Sequence, residues 1–245
     1  MLSPRPLVVP KEFGDLMGVI AIIPARGGST RVPRKNVKPF NDEPMLSWPI
    51  AAARGSQTID RVIVSTDDDA IAQVAEASGA DVPFMRPGEL SSAHAGTAPV
   101  IVHALDNLGI GDDEVVMCLY STAPVPSWIL DEAIRLATGH RESFVISVGR
   151  HRSPMERTLR ASSDGFMMFE SASFLFSRTQ DLPQRYFDAG KFYIANAGIW
   201  RTHETMMSKP FVPYFLPEWA SVDMDEPDDW PIAEALHRAF VLEAL

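Results

Sequence analysis

Apolar and polar positions along the chain fall into alternating blocks. Val19–Pro24 (VIAIIP) is a continuous apolar run and predicts a buried strand. Arg61–Thr66 (RVIVST), Glu114–Tyr120 (EVVMCLY) and Ser143–Val148 (SFVISV) repeat that signature. Helical spacing fills the gaps. Asp68–Ser78 opens with acidic residues and stops before Gly79, the polarity a helix dipole favours. Thr97–Leu108 stops before Gly109, and Trp128–Thr138 lies between Ser127 and Gly139. Met45–Arg54 is Ala-rich with Pro49 inside, which predicts a kink or a late start. Strand, helix, strand, helix at this spacing predicts right-handed βαβ units and an α/β fold on a mostly parallel sheet.

Beyond Arg150 the pattern changes. Gly165–Phe169 and Phe192–Trp200 read as extended, partly antiparallel segments, and Ser208–Tyr214 as a loop. Asp228–Phe240 reads as an amphipathic helix. The expected organisation is a flexible extension over residues 1–17 and a single domain over 18–245. Residues 150–215 or so would form a small α+β lobe. The extension has no apolar core of signal-peptide length, and Met17 lies just before the first strand.

Composition narrows the function. The chain has 245 residues, long enough for one sizeable core. Its net charge of −10 disfavours general nucleic-acid binding, which requires neutralising phosphates. The single cysteine, Cys118, fits a reducing cytoplasmic setting and reads as a buried strand residue. No CxxC or HExxH occurs, so no structural zinc site is expected, and no apolar run is long enough for a membrane helix. Trp48, Trp128 and Trp230 read as core residues. His103 reads as a packed helix residue, leaving His94 as the one histidine worth testing.

Against this acidic background one loop stands out. Pro24-Ala25-Arg26-Gly27-Gly28-Ser29-Thr30-Arg31-Val32-Pro33-Arg34-Lys35-Asn36 follows the first strand and carries four cations. Adjacent glycines let backbone N–H groups approach a ligand, and ligands of such sheets sit beyond the strand carboxyl ends. The loop therefore reads as a polyphosphate cradle, although neither GxxxxGK[ST] nor GxGxxG is present and a plain solvated loop would share its composition. Asp223 and Asp225 flank Met224. On an extended segment i and i+2 share a face, so both carboxylates could reach one cation, whereas a turn or helix cap would explain them equally well. Asp68 and Asp69 read as capping residues, with Asp67 a weaker site candidate.

IAIIPARGGSTRVPRKN resembles the signature of the CMP-sugar synthetases, the acylneuraminate cytidylyltransferase family. RVIVSTDDDAIAQVAEASGADVPFMRPGELS, EVVMCLYSTAP and SVDMDEPDDW resemble that family's later blocks. DAGKFY, beginning at Asp188, is similar to the DAGQFY of its pseudaminic acid branch. The resemblance implies a Rossmann-like, GT-A-like nucleotidyltransferase fold with a small dimerisation element. It implies transfer of CMP from CTP to the anomeric hydroxyl of a nonulosonic acid, with Mg²⁺ and in a homodimer. Carried over position by position, Arg26 and Lys35 would be catalytic. Ala25, Gly27, Gly28, Ser29, Arg31, Asn36, Asp67 and Ser91 would join them in binding the nucleotide, with Arg34 a lesser phosphate candidate. Tyr120, Ser121, Thr122, Asp188, Lys191 and Tyr193 would contact the sugar, and Asp223 and Asp225 the metal. The sequence departs from the pattern at Thr30, where relatives carry Lys, at Ala93 and Ala95, and at Lys191, where Gln is common. Alternatives to the pseudaminate reading are the same reaction on N-acetylneuraminate, a legionaminate or another keto-sugar acid. More distant ones are a GT-A glycosyltransferase and an inactive nucleotide-binding module.

Overall fold

The computed structural model describes residues 18–29, 31–92 and 95–243. The expected extension over 1–17, Thr30, Ala93 and His94 lie outside the described residues.

Six strands build the main sheet: β1 (Val19–Pro24), β2 (Ile59–Ser65), β3 (Val115–Leu119), β4 (Val145–Arg150), β5 (Tyr186–Asn196) and β6 (Val212–Phe215). Their spatial order is β6-β4-β5-β3-β1-β2. β1 pairs in parallel with both β2 and β3, and β6 with β4. β5 alone runs antiparallel, wedged between β3 and β4. The central strands are buried on both faces, which is why they read as unbroken apolar runs rather than alternating ones.

Six helices flank the sheet: α1 (Ser47–Arg54), α2 (Asp69–Ala77), α3 (Thr97–Leu108), α4 (Ser127–Thr138), α5 (Ala197–Thr202) and α6 (Asp229–His237). One apolar layer joins β1, β2 and β3 to α1, α2 and α4; the other joins the opposite sheet face to α3 and α5. Pro49 sits in the first turn of α1, where its missing N–H has no helical partner to lose, so the helix starts late at Ser47. Asp68 caps α2, its carboxylate accepting from the N–H groups of Ala70 (2.8 Å) and Ile71 (3.1 Å). Asp68→Ala is expected to cost about 1 kcal/mol. A drop in Tm of roughly 2–4 °C in a thermal melt would register it, and an unchanged Tm would refute the cap.

Three segments differ from expectation. The extended run ends at Asn196, and Ala197–Thr202 turns helical, burying Trp200 against Phe144. A short apolar run has no period that separates strand from helix. The segment read as a loop supplies β6, because Pro213 is tolerated on an edge strand. Trp128 is 48% exposed rather than in the core. Of residues 150–215, β5 and β6 enter the main sheet. A small hairpin, Leu159–Ala161 paired with Met167–Phe169, lies between β4 and β5.

A third cluster fixes the far end of the chain. Phe40, Met45, Met224 and Trp230 pack together, and Trp230 Nε1 donates to the Pro39 carbonyl at 3.0 Å. Asn41 ties into the same helix: its N–H donates to the Glu234 carboxylate at 3.1 Å, its Nδ2 donates to the Glu234 carbonyl at 3.0 Å, and its Oδ1 accepts from Arg238 at 3.0 Å. These contacts hold α6, and the Asp223–Asp225 segment leading into it, over the first loop.

Candidate active site

A cleft of about 340 Å³ opens at the carboxyl ends of β1 and β3. The first loop forms its floor. Ala25 N–H donates to Ser65 (3.0 Å), and Gly27 N–H to the Asp67 carboxylate (3.0 Å). Asn36 is buried and its Nδ2 donates to the Arg26 carbonyl at 2.9 Å. Ser29 Oγ donates to the Val32 carbonyl at 2.7 Å. The loop is thus stapled at four points, which presets it for a ligand. Gly27 has to be glycine: a Cβ there would meet the Asp68 carboxylate at 2.7 Å, against the cap of α2. Gly28 faces open space.

Arg26, Ser29, Arg31, Lys35 and Asn36 line one wall, with Tyr120, Ser121 and Thr122 after β3 on another. The N-terminus of α3, from Gly96 with no side-chain cap, contributes a third, so its free N–H groups add positive potential there. Asp225 closes the cleft, its carboxylate 3.1 Å from Lys35 Nζ and 2.7 Å from Arg31. Partial burial pushes the Asp225 carboxyl up, but the hydrogen bonds and charges of Lys35 and Arg31 outweigh it and hold it below the usual carboxylate range.

Sequence reasoning missed Arg86. It lies in the cleft with its side chain 3% exposed, donates from Nε to Ser91 Oγ (3.2 Å), and pairs with Asp67 at 3.5 Å. Beyond that 3.5 Å ion pair, its Nη2 has no hydrogen-bond partner among the described residues. Burial pulls its guanidinium down, Asp67 counteracts this, and Arg26 adds to it. A buried guanidinium with an unused donor suits an acceptor-rich ligand. The available signal was a lone arginine between Met85 and Pro87, where Met85 bridges to Thr66 just beyond β2.

Not every expected residue reaches the cleft. Ala25 and Gly27 spend their N–H groups inside the protein. Ser91 stands behind Arg86, and Asp67 tethers Gly27 and Arg86. Tyr193 donates to Asp188 at 2.6 Å and packs edge-on against Tyr120, whose hydroxyl lies 2.6 Å from Thr97. That pair therefore supports the cleft wall from outside. Lys191 is buried, its ammonium 2.7 Å from the Val222 carbonyl; burial draws it down to about 8, Asp223 and Asp225 pulling it up and Lys35 down.

Met224 is 1% exposed and points into the third cluster, so the carboxylates on either side of it face outward together. Asp225 reaches the cleft and Asp223 is exposed beside it. Two outward carboxylates suit a hard cation that keeps substrate oxygens and water as its other ligands, and Lys35 and Arg31, which take up both Asp225 oxygens, would have to give way to it. Among the described residues no cluster of three or more His, Cys, Asp or Glu could hold a metal without such help.

A cationic glycine loop and an acidic pair facing each other at the carboxyl edge of a parallel sheet make a nucleotidyltransferase site. The chain belongs to the cytidylyltransferase family, which matches residues 20–216. It is 33% identical over 223 residues to a pseudaminic acid cytidylyltransferase of Campylobacter jejuni, covering 89% of this chain and 96% of that one. It is 31% identical over 217 residues to N-acylneuraminate cytidylyltransferase B of Danio rerio, covering 87% of this chain and 50% of that one. A CMP:2-keto-3-deoxy-manno-octonic acid synthetase complexed with CTP shares the fold, with a TM-score of 0.67 over 94% of this chain and 100% of that one, at 15% identity.

Proposed function

We propose that the chain transfers CMP from CTP to the anomeric hydroxyl of a nonulosonic acid, pseudaminic acid foremost, and releases pyrophosphate. The observation that carries this reading is the cleft itself: Arg26, Lys35 and Arg86 converge there opposite Asp225. In the reaction the sugar oxygen bonds to the α-phosphorus as the bond to the β-phosphate oxygen breaks. Arg26 and Lys35 hold the triphosphate and stabilise charge gathering on the departing pyrophosphate. Arg86 offers its unused N–H to the nucleotide, and Tyr120, Ser121 and Thr122 face the sugar. Asp223 and Asp225 would hold Mg²⁺, which when bound supplies Lewis-acid charge at the α-phosphate and lowers the pKa of the attacking hydroxyl.

A homodimer and a cytoplasmic setting belong to the same proposal. Between β4 and β5, Phe166, Met167 and Phe176 are 70%, 64% and 99% exposed. So much apolar surface on one segment suits burial against a second copy. Among the described residues no helix is long and apolar enough to cross a membrane.

The decisive experiment measures pyrophosphate release from CTP and Mg²⁺ with pseudaminic acid, N-acetylneuraminic acid or no sugar. Release with pseudaminic acid alone is expected. Release with N-acetylneuraminic acid would keep the chemistry and move the specificity, the second reading favoured by the likeness to the Danio rerio protein. No release with any acid would sink the proposal.

A further inference from the structure

Lys191 occupies the middle of β5 and is 2% exposed. Among the described residues no carboxylate comes within ion-pair distance of its ammonium. Such a placement is costly, since the ammonium gives up water and gains only the more distant charges of Asp223 and Asp225, with no carboxylate in contact. The surroundings are mostly apolar: Pro124, Trp219, Val222, Met224 and Ala233 border the small adjoining cavity, with His237 the one other polar side chain there.

Three hydrogen bonds show what the residue does there. Its Nζ donates to the Val222 carbonyl at 2.7 Å, one residue before Asp223. Its carbonyl accepts the Tyr120 N–H at 2.9 Å, at the start of the cleft wall. Its N–H donates to Ser147 Oγ at 3.0 Å, which also accepts the Phe192 N–H at 3.1 Å. Ser147 lies where the β4–β5 register shifts, between Ile146 and Val148. One residue therefore joins β4, the Tyr120 wall and the Asp223–Asp225 segment.

We propose that Lys191 is a positioning residue whose ammonium pins the backbone ahead of Asp223, keeping Asp225 at the cleft in register with Tyr120. The turnover part of its test rests on the cytidylyl-transfer reading; the backbone part does not. Lys191→Met removes the hydrogen bond and keeps the bulk, and Lys191→Gln, one bond shorter, keeps an N–H donor facing the same carbonyl.

In the full chain, Lys191→Met is expected to keep or raise Tm, because a buried unpaired charge is gone. Amide hydrogen exchange across residues 222–225 should rise about tenfold. kcat should fall about tenfold while KM for CTP changes less than about threefold, since the triphosphate contacts lie elsewhere. Lys191→Gln should recover most of both losses. Wild-type exchange at 222–225 in Lys191→Met would overturn the proposal. So would a parallel loss of Tm and kcat that Gln does not restore, which marks a packing role alone. If the wild-type chain releases no pyrophosphate, the cytidylyl-transfer reading fails while the exchange result still decides the role of Lys191.

Discussion

Alanine at Arg26 or at Lys35 is expected to lower kcat for pyrophosphate release by roughly a hundredfold to a thousandfold with an unaltered far-UV spectrum, Lys35→Ala also giving up the stability of its pair with Asp225. Both line the cleft, where charge developing on the leaving group meets preset cations. Exposure separates them from Arg31. The Lys35 side chain is 16% exposed and that of Arg31 59%. Water screens the exposed Arg31 guanidinium far more than the sheltered Lys35 ammonium, so Arg31→Ala should change rate far less. Wild-type turnover in Arg26→Ala or Lys35→Ala would remove the phosphate-cradle argument.

The double substitution Asp223→Asn and Asp225→Asn should abolish stimulation by Mg²⁺ and leave about one per cent of the rate or less. Asn keeps the shape and the acceptor oxygen while deleting the charge. Full Mg²⁺-stimulated turnover would reduce the pair to a helix entry. Asp225 also carries a pH signature. Its folded carboxyl lies below the ordinary value, so its contribution to stability is present above the ordinary carboxyl range and is lost as pH falls through the folded value. Asp225→Asn should flatten the acid side of a stability–pH curve, and an unchanged acid limb would contradict the pairing with Lys35.

The parallel half of the fold was legible because its strands are buried on both faces and its helices end at glycine. Val19–Pro24 and Thr97–Leu108 match their expected bounds residue for residue. β6 was not legible, since edge pairing of a Pro-containing segment depends on β4 lying beside it. In the site, spacing in the first loop brought Arg26, Lys35 and Asn36 to one cleft, and the i, i+2 rule oriented Asp225. Arg86 escaped because its role comes from tertiary burial, which a lone arginine between Met85 and Pro87 signals only weakly. Asp188 and Tyr193 were marked by the DAGKFY resemblance, yet they turn to one another behind Tyr120, a distinction that only side-chain direction makes.

The lone antiparallel strand also sets a timetable. β3 and β4 are complete by residue 150, but they never pair with each other; β5, ending at residue 196, must slot between them. Until then a growing chain holds the β2-β1-β3 ribbon with a raw apolar edge at Val115–Leu119, and β4 has no neighbour at all. Closure is a late, long-range event, the kind that slows folding and exposes pairing edges to other chains. The cleft wall at Tyr120 takes its backbone bond from Lys191 of that same strand. Closing the centre of the sheet and seating the Tyr120 wall of the cleft are therefore one step, and a ribosome has to release the chain through residue 196 before either can occur.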